Sequence, residues 1–214
     1  MYKTSKLFKN LSQTTIEDLL AQVPYTLKTY LPHDAIFTEI SFNRQLGILL
    51  SGEVQIYKTL PNGSELLLRN LNADALLGLG YVWGDVEHFP ATIKAVKPCS
   101  VLFLSKDALR QLFLMEPIIL DNFLNAMNES FVYLNTKIEL LALNSTKERL
   151  LFILTQACQS KQSITLNKSK LCRELSISRA SLYRSLEQLE NEHYIAIHPN
   201  RKISLCPSKQ NHYI

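Results

Sequence analysis

With 214 residues, 46% of them apolar and 20% charged, the chain is long enough for one medium domain and one small one, each with a packed core. No apolar run approaches the ~18 residues of a membrane span, and the start MYKTSKLFKN has lysines where a secretory leader is apolar, which points to a cytoplasmic protein without a membrane partner. The net charge of +4 is unevenly divided: residues 145–214 hold eleven Lys and Arg against five Asp and Glu, and residues 1–144 hold twelve against fourteen, so the basic tail suggests a nucleic-acid partner.

In chain order, SKLFKNLSQTTIEDLLAQ brings Leu7, Phe8, Leu11, Ile16, Leu19 and Leu20 to helical spacing, with Ser12 as N-cap ahead of Thr15 and Glu17. Two short helical turns covering one end of a domain are expected. From Tyr30 to about Leu104 the texture changes to short β-rich runs: AIFTEI, LGILLSGEVQIYKT, SELLLRNL, ATIKAV and SVLFLS. Within GEVQIYKT, Val54, Ile56 and the stem of Lys58 fall on one face, and Glu53, Gln55 and Tyr57 on the other. LPNGSE carries an Asn-Gly hairpin signal. Strands this short and numerous imply an antiparallel barrel or sandwich of jelly-roll type over residues 1–115.

Beyond LSKDALRQLFLMEP the pattern is helical, and Pro117 suits a first helical turn. Leu120, Leu124, Met127, Phe131, Leu134, Ile138 and Leu141 then recur at alternating steps of four and three residues, an a/d heptad seam. Such a narrow seam predicts that residues 116–144 form a dimerisation helix paired in parallel with a second copy; the alternative is packing on the chain's own domain. Asn144 and Ser145 interrupt the helix, and Ser145 with Glu148 forms an S-x-x-E capping box, so a hinge falls near Asn144.

Residues 145–214 contain TKERLLFILTQACQ, NKSKLCREL and SRASLYRSLEQLENE, followed by YIAIHP and KISLCP around Asn200-Arg201. Helix, helix, turn, helix and β-hairpin in this order make a winged helix-turn-helix, with Ser176-Ile177-Ser178 as a turn short enough to fix a steep interhelical angle. Leu182, Leu186 and Leu189 face the small core, Ala180, Arg184 and Glu187 point away, and Ser178 caps a helix that starts at Arg179. In a helix-turn-helix the N-terminal part of the second helix touches base edges, and the planar fork of arginine can donate two hydrogen bonds to guanine. Two helix-surface arginines alone are usually a solvated face. The short turn, the cap, the basic charge and the wing around them favour DNA.

Cys99, Cys158, Cys172 and Cys206 are scattered, with no C-x-x-C pair and no histidine at ligand spacing, which predicts reduced, buried thiols. A cupin-like metalloenzyme with a regulatory tail, the alternative from another class, needs histidines and a carboxylate converging on an ion. His33, His88, His193, His198 and His212 are dispersed without an H-x-H, so no metal, no catalytic residue and no enzymatic activity are expected.

Taken end to end, these motifs resemble the Crp/Fnr superfamily of bacterial transcription regulators. LFKNLSQTTIEDLL is similar to the family's opening helices, ILLSGEVQIYKTLPNGSELLLRNL to its strand-turn-strand signature with a glycine at Gly52, and FPATIKAVKPCSVLFLS to the close of its sensory barrel. LCRELSISRASLYRSLEQLENEHYI resembles its recognition unit, with Arg179 and Arg184 on the two arginine positions that cyclic-AMP-responsive members use on DNA. The resemblance implies an α+β protein: an N-terminal antiparallel jelly-roll β-barrel of the cyclic-nucleotide-binding type, a long dimerisation helix and a C-terminal winged helix-turn-helix. It further implies a homodimer on a near-palindromic double-stranded DNA site, with a contact to RNA polymerase open to it.

Departures from the family pattern shape the expected chemistry. Where cyclic-nucleotide binders carry Gly-Glu for the ribose and Arg-Ser for the cyclic phosphate, this chain reads Gly78-Leu79 and Phe89-Pro90. No guanidinium is then there to pair the phosphate, and burying that anion among Leu79, Trp83 and Phe89 would be costly, so an effector other than a cyclic nucleotide is expected. Neither clustered N-terminal cysteines nor a clear axial pair supports an iron–sulfur or haem branch, and no cofactor is expected. The loop GLGYVWGDVEHFP offers Leu79, Tyr81, Trp83 and Phe89 either as a pocket for a small apolar or aromatic effector or as the cap of a filled barrel in a constitutive regulator. On the DNA side, Ala180 stands where the family has a glutamate, which removes an acceptor for a cytosine amine and predicts a different half-site. Ser181 can reach a phosphate or a base, and Lys168, Lys170, Arg201 and Lys202 are candidate phosphate contacts.

Overall fold

The cap expected at Ser12 forms: its hydroxyl accepts from the Thr15 backbone N–H at 3.1 Å and opens α1 (Gln13–Leu20), which follows a 3-10 turn at Lys6–Phe8. In this computed structural model the described residues are 5–38, 41, 43–84, 89–158, 163–175, 177–199 and 202–206, without the side chains of Lys170, Arg173 and Glu174. The chain divides into two units, Met1–Phe131 and Val132–Ile214.

Among the described residues the first unit is built on eight strands: β1 (Tyr25–Tyr30), β2 (Ala35–Phe37), β3 (Leu46–Ser51), β4 (Glu53–Thr59), β5 (Glu65–Asn72), β6 (Leu76–Leu77), β7 (Thr92–Ala95) and β8 (Cys99–Leu104). They form two antiparallel sheets, ordered β1-β8-β3-β6 and β2-β7-β4-β5. Ile36, Phe37, Val54, Ile93 and Ala95 of one sheet pack against Leu49, Leu77, Val101 and Phe103 of the other. The opposite face of the first sheet, through Leu46, Ile48, Leu102 and Leu104, packs on Leu7, Phe8, Ile16 and Leu20 and on the helices after the barrel, α2 (Lys106–Met115) and α3 (Pro117–Ala142). A sheet covered on both faces needs apolar residues at successive positions, which is why LGILL and SVLFL lack alternation.

Two local features fix the strand connections. β3 passes into β4 at Gly52 (φ 92°), where a Cβ would lie 2.5 Å from the Pro98 carbonyl oxygen, so no other residue fits without rearrangement. The Asn-Gly signal closes the β4–β5 hairpin through a longer loop: the Leu60 N–H donates to Ser64 O at 2.9 Å, Gly63 takes a positive φ, and Asn62 Oδ1 accepts from the Ser64 N–H at 3.0 Å. In β4, Val54 is buried while Ile56 is half-covered and Lys58 exposed, so the expected inner face ends within the strand.

The second unit begins with the last turns of α3 and continues through α4 (Thr146–Cys158), β9 (Ile164–Thr165), α5 (Lys168–Leu175), α6 (Arg179–Asn191), β10 (Ile195–His198) and β11 (Lys202–Leu205). The Ser145–Glu148 capping box forms reciprocally: the Glu148 N–H donates to Ser145 Oγ and the Ser145 N–H to Glu148 Oε2, both at 3.1 Å. Leu140, Leu150, Leu154, Leu171, Leu182, Leu186, Leu189, Ile195 and Ile203 make one core.

Three expectations need correction. β1, with its sequence YTLKTY, lies outside the β-rich stretch expected to start at Tyr30; it pairs with β8 from Tyr25↔Leu104 to Tyr30↔Cys99. The wing is a three-stranded sheet, β10-β11-β9, because the short β9 pairs through Thr165↔Lys202 and Ile164↔Ile203. Of the four free thiols only Cys99 is buried, whereas Cys158, Cys172 and Cys206 are half-exposed, Cys172 packing against the second core.

Candidate nucleic-acid interface and effector region

α6 is set by a cap at one end and leucines on one face. The Ser181 N–H donates to Ser178 Oγ at 3.1 Å, and Leu182, Leu186 and Leu189 are buried with Ser185. This anchoring leaves Arg179, Ala180, Tyr183, Arg184 and Glu187 exposed and Ser181 half-exposed. No ion pair or hydrogen bond among the described residues engages the guanidinium of Arg179 or Arg184, and both retain their five donors for a partner.

The phosphate candidates divide. Lys168, at the first turn of α5, reaches α6: its Nζ donates to Tyr183 Oη at 2.9 Å and stands 4.2 Å from the ring centroid. Together with Thr165, Asn167, Ser169 and Arg179, these two residues line a concavity of about 550 Å³. Lys202 is exposed at the start of β11. Ser176, Arg201 and the side chain of Lys170 lie outside the described residues. Tyr183 was not among the expected site residues, although its position one helical turn after Arg179 was visible in SRASLYR.

The heptad residues of α3 share an uncovered stripe. Leu120, Leu124, Met127, Phe131, Leu134, Ile138 and Leu141 are all exposed, from 36% for Met127 to 83% for Leu141. Another face of the same helix is occupied: Ile119, Phe123 and Ala126 are buried in the first unit, where Asn122 Nδ2 donates to the carbonyls of Leu7 and Lys9 at 3.1 and 2.8 Å.

The four effector candidates are divided between two cores. Tyr81 and Phe89 meet edge to face at 5.1 Å, and Phe89 continues a chain of rings through Phe37 (5.6 Å), Phe103 (5.7 Å from Phe37) and Tyr30 (6.5 Å from Phe103) between the two sheets. Trp83 instead stacks on Phe113 at 5.6 Å and meets Phe123 at 5.2 Å, and Leu79 belongs to the core between sheet and helices. Leu79 and Trp83 thus pack with the helices and Tyr81 and Phe89 between the sheets, a division that a one-dimensional run of aromatics does not reveal. A cavity of about 200 Å³ does touch Leu79, between Arg69–Ala75 and the Ala126–Ser130 turn of α3, with the Lys6–Glu129 ion pair beside it. Among the described residues no three His, Cys, Asp or Glu side chains converge as a metal site, and no helix is long and apolar enough to cross a membrane.

Residues 27–116 match the family model of the cyclic nucleotide-binding domain. The chain aligns with the Thermus thermophilus Catabolite Activator Protein at 20% identity over 94% of this chain and 93% of that one, with a TM-score of 0.57. The chain shares its fold with that activator protein. Comparable alignments are found with CprK in complex with OCPA (16% identity, 89% and 90% coverage, TM-score 0.64) and with the c-di-GMP responsive global regulator CLP of Xanthomonas campestris (20% identity, 91% and 99% coverage, TM-score 0.55). No curated protein sequence gives a significant match.

Within this shared fold, burial raises the pKa of the Cys99 thiol, and the nearby Asp34 carboxylate adds to the shift. Burial likewise raises that of the Tyr30 phenol, with Cys99 and Asp34 contributing. In the second unit, Glu192 accepts a 2.8 Å hydrogen bond from Lys147 and holds that ammonium above its ordinary pKa, tying the start of α4 to the end of α6.

Proposed function

We propose that the protein is a homodimeric, sequence-specific DNA-binding transcription regulator acting in the cytoplasm, not an enzyme. The observation that carries this reading is α6: capped at Ser178, held by three buried leucines, and presenting Arg179 and Arg184 with no partner among the described residues. A structural helix of a small domain gains little from two unneutralised guanidiniums on its outer face. A helix entering the major groove needs them for guanine and phosphate. Ser178, Ser181, Lys168 and Lys202 supply further donors around it, and the charge surplus of residues 145–214 supplies attraction to the backbone. The exposed stripe from Leu120 to Leu141 is the surface on which a second copy would pair, and two copies would present two recognition helices to a near-palindromic site.

The signal is one other than a cyclic nucleotide. Phe89-Pro90 stands where that ligand's arginine would be, and Phe89 is itself buried against Phe37 and Tyr81. The same ring chain favours a second reading, a regulator whose filled barrel needs no effector. Selection of DNA fragments by the purified full-length protein tests the first claim: enrichment of an inverted repeat is expected, and no enriched sequence would overturn it. Gel shifts on that fragment separate the two readings, because full affinity without additives supports the effector-independent one.

A further inference from the structure

We infer that Tyr183 is a positioning residue of the DNA interface: it holds the Lys168 ammonium in place for a backbone phosphate beside the groove that Arg179 enters. This rests on the DNA-binding reading above and adds to it a residue and a role.

A lysine on its own is a poor phosphate anchor, because four rotatable bonds must be frozen for one point charge. Here the freezing is done within the protein. The Nζ of Lys168 donates to Tyr183 Oη at 2.9 Å while standing 4.2 Å from the ring centroid, so ring face and oxygen fix it together. An ammonium has three donors, and the phenol takes one of them. The pair bridges α5 and α6 at the surface, with Tyr183 52% exposed, where a cation over a ring adds little to folding. Its location is more telling. Lys168, Tyr183 and Arg179 line the same concavity, whose other walls among the described residues are Thr165, Leu166, Asn167 and Ser169, none of them acidic. Two cations facing one space, with no carboxylate among its described walls, suit an anion. At the edge of a recognition helix that anion is a phosphodiester of the DNA strand. Tyr183 lies one turn after Arg179 on α6, so a phosphate held by Lys168 fixes how deep that arginine sits in the groove.

The test is a double-mutant cycle on the full-length protein, using its selected DNA fragment and a mixed-sequence duplex over a series of salt concentrations. Lys168→Met is expected to weaken binding to both duplexes about tenfold at low salt and to lower the salt slope by about one. Tyr183→Leu, which removes ring and oxygen, is expected to weaken both about five-fold, Tyr183→Phe to recover part of that loss, and neither to cost anything further in the Lys168→Met background. Thermal melting of each variant accompanies the titrations. An equal loss from Tyr183→Leu in both backgrounds, or none in the wild-type background, overturns the inference. A wild-type protein that enriches no sequence at all would instead overturn the underlying DNA-binding reading, a result the same selection shows before any variant is made.

Discussion

Phe131→Glu is the sharpest test of the α3 stripe. Phe131 occupies an a position and is 63% exposed in the single chain. A phenylalanine offers on the order of 200 Å² in all, so about 125 Å² is available to a second copy, worth ~3 kcal/mol per protomer at ~25 cal/mol per Å². Association recovers only part of such area, and about half of the two-protomer value, ~3 kcal/mol, is a reasonable expectation for the loss. Introducing a carboxylate at the seam adds desolvation and like-charge repulsion across the two-fold. The dimer dissociation constant should therefore rise at least ~100-fold. Sedimentation velocity from about 0.1 to 100 µM would read this directly as a shift from dimer to monomer. Asn125→Glu, exposed on the same helix but at a b position, should leave the dimer unchanged. A wild-type protein that stays monomeric throughout, or a Phe131→Glu variant with unaltered self-association, would refute the reasoning.

Arg184→Ala should reduce specific binding by ~1–3 kcal/mol and flatten the preference at one base pair per half-site; uniform weakening across sequences would make Arg184 a phosphate contact instead. Ser178→Ala removes the acceptor of the Ser181 N–H and should cost about 1 kcal/mol, seen as a melting temperature a few degrees lower, with no change in the salt slope of DNA binding. Folding raises the pKa of Cys99 and Tyr30, so the folded first unit binds more protons than the unfolded chain at alkaline pH, and stability falls as pH rises through the ordinary thiol and phenol ranges. Chemical denaturation of wild type and Cys99→Ser between about pH 7 and 10 checks this: the variant should lose the lower-pH part of the decline, and an identical profile would count against the Cys99 contribution.

Much of the architecture was legible because its signals are local. Ser12, Ser145 with Glu148, and Ser178 are caps whose partners lie within three residues, and the leucines of α6 recur with the helical period, so each is written in a few adjacent positions. What escaped depends on distant partners. YTLKTY becomes a strand because β8 pairs with it, and Ile164–Thr165 because β11 does. The aromatic loop left pocket and filled barrel both open for a related reason: a loop has no period, so nothing adjacent says that Phe89 turns between the sheets while Trp83 turns towards α2 and α3. Lys168 was recognised as a cation but not as a held one, since its tether comes from α6, fifteen residues later.

Trp83 is the chain's single tryptophan, and it stacks on Phe113 of α2 and meets Phe123 of α3 edge to face while remaining 36% exposed. The molecule therefore carries its own optical probe at the root of the long helix. Phenylalanine neighbours neither compete for excitation nor confuse its emission, and a half-exposed indole responds to small changes in packing and hydration. Any event that loosens α3 from the first unit should be audible in an unlabelled sample, at one position, from one residue.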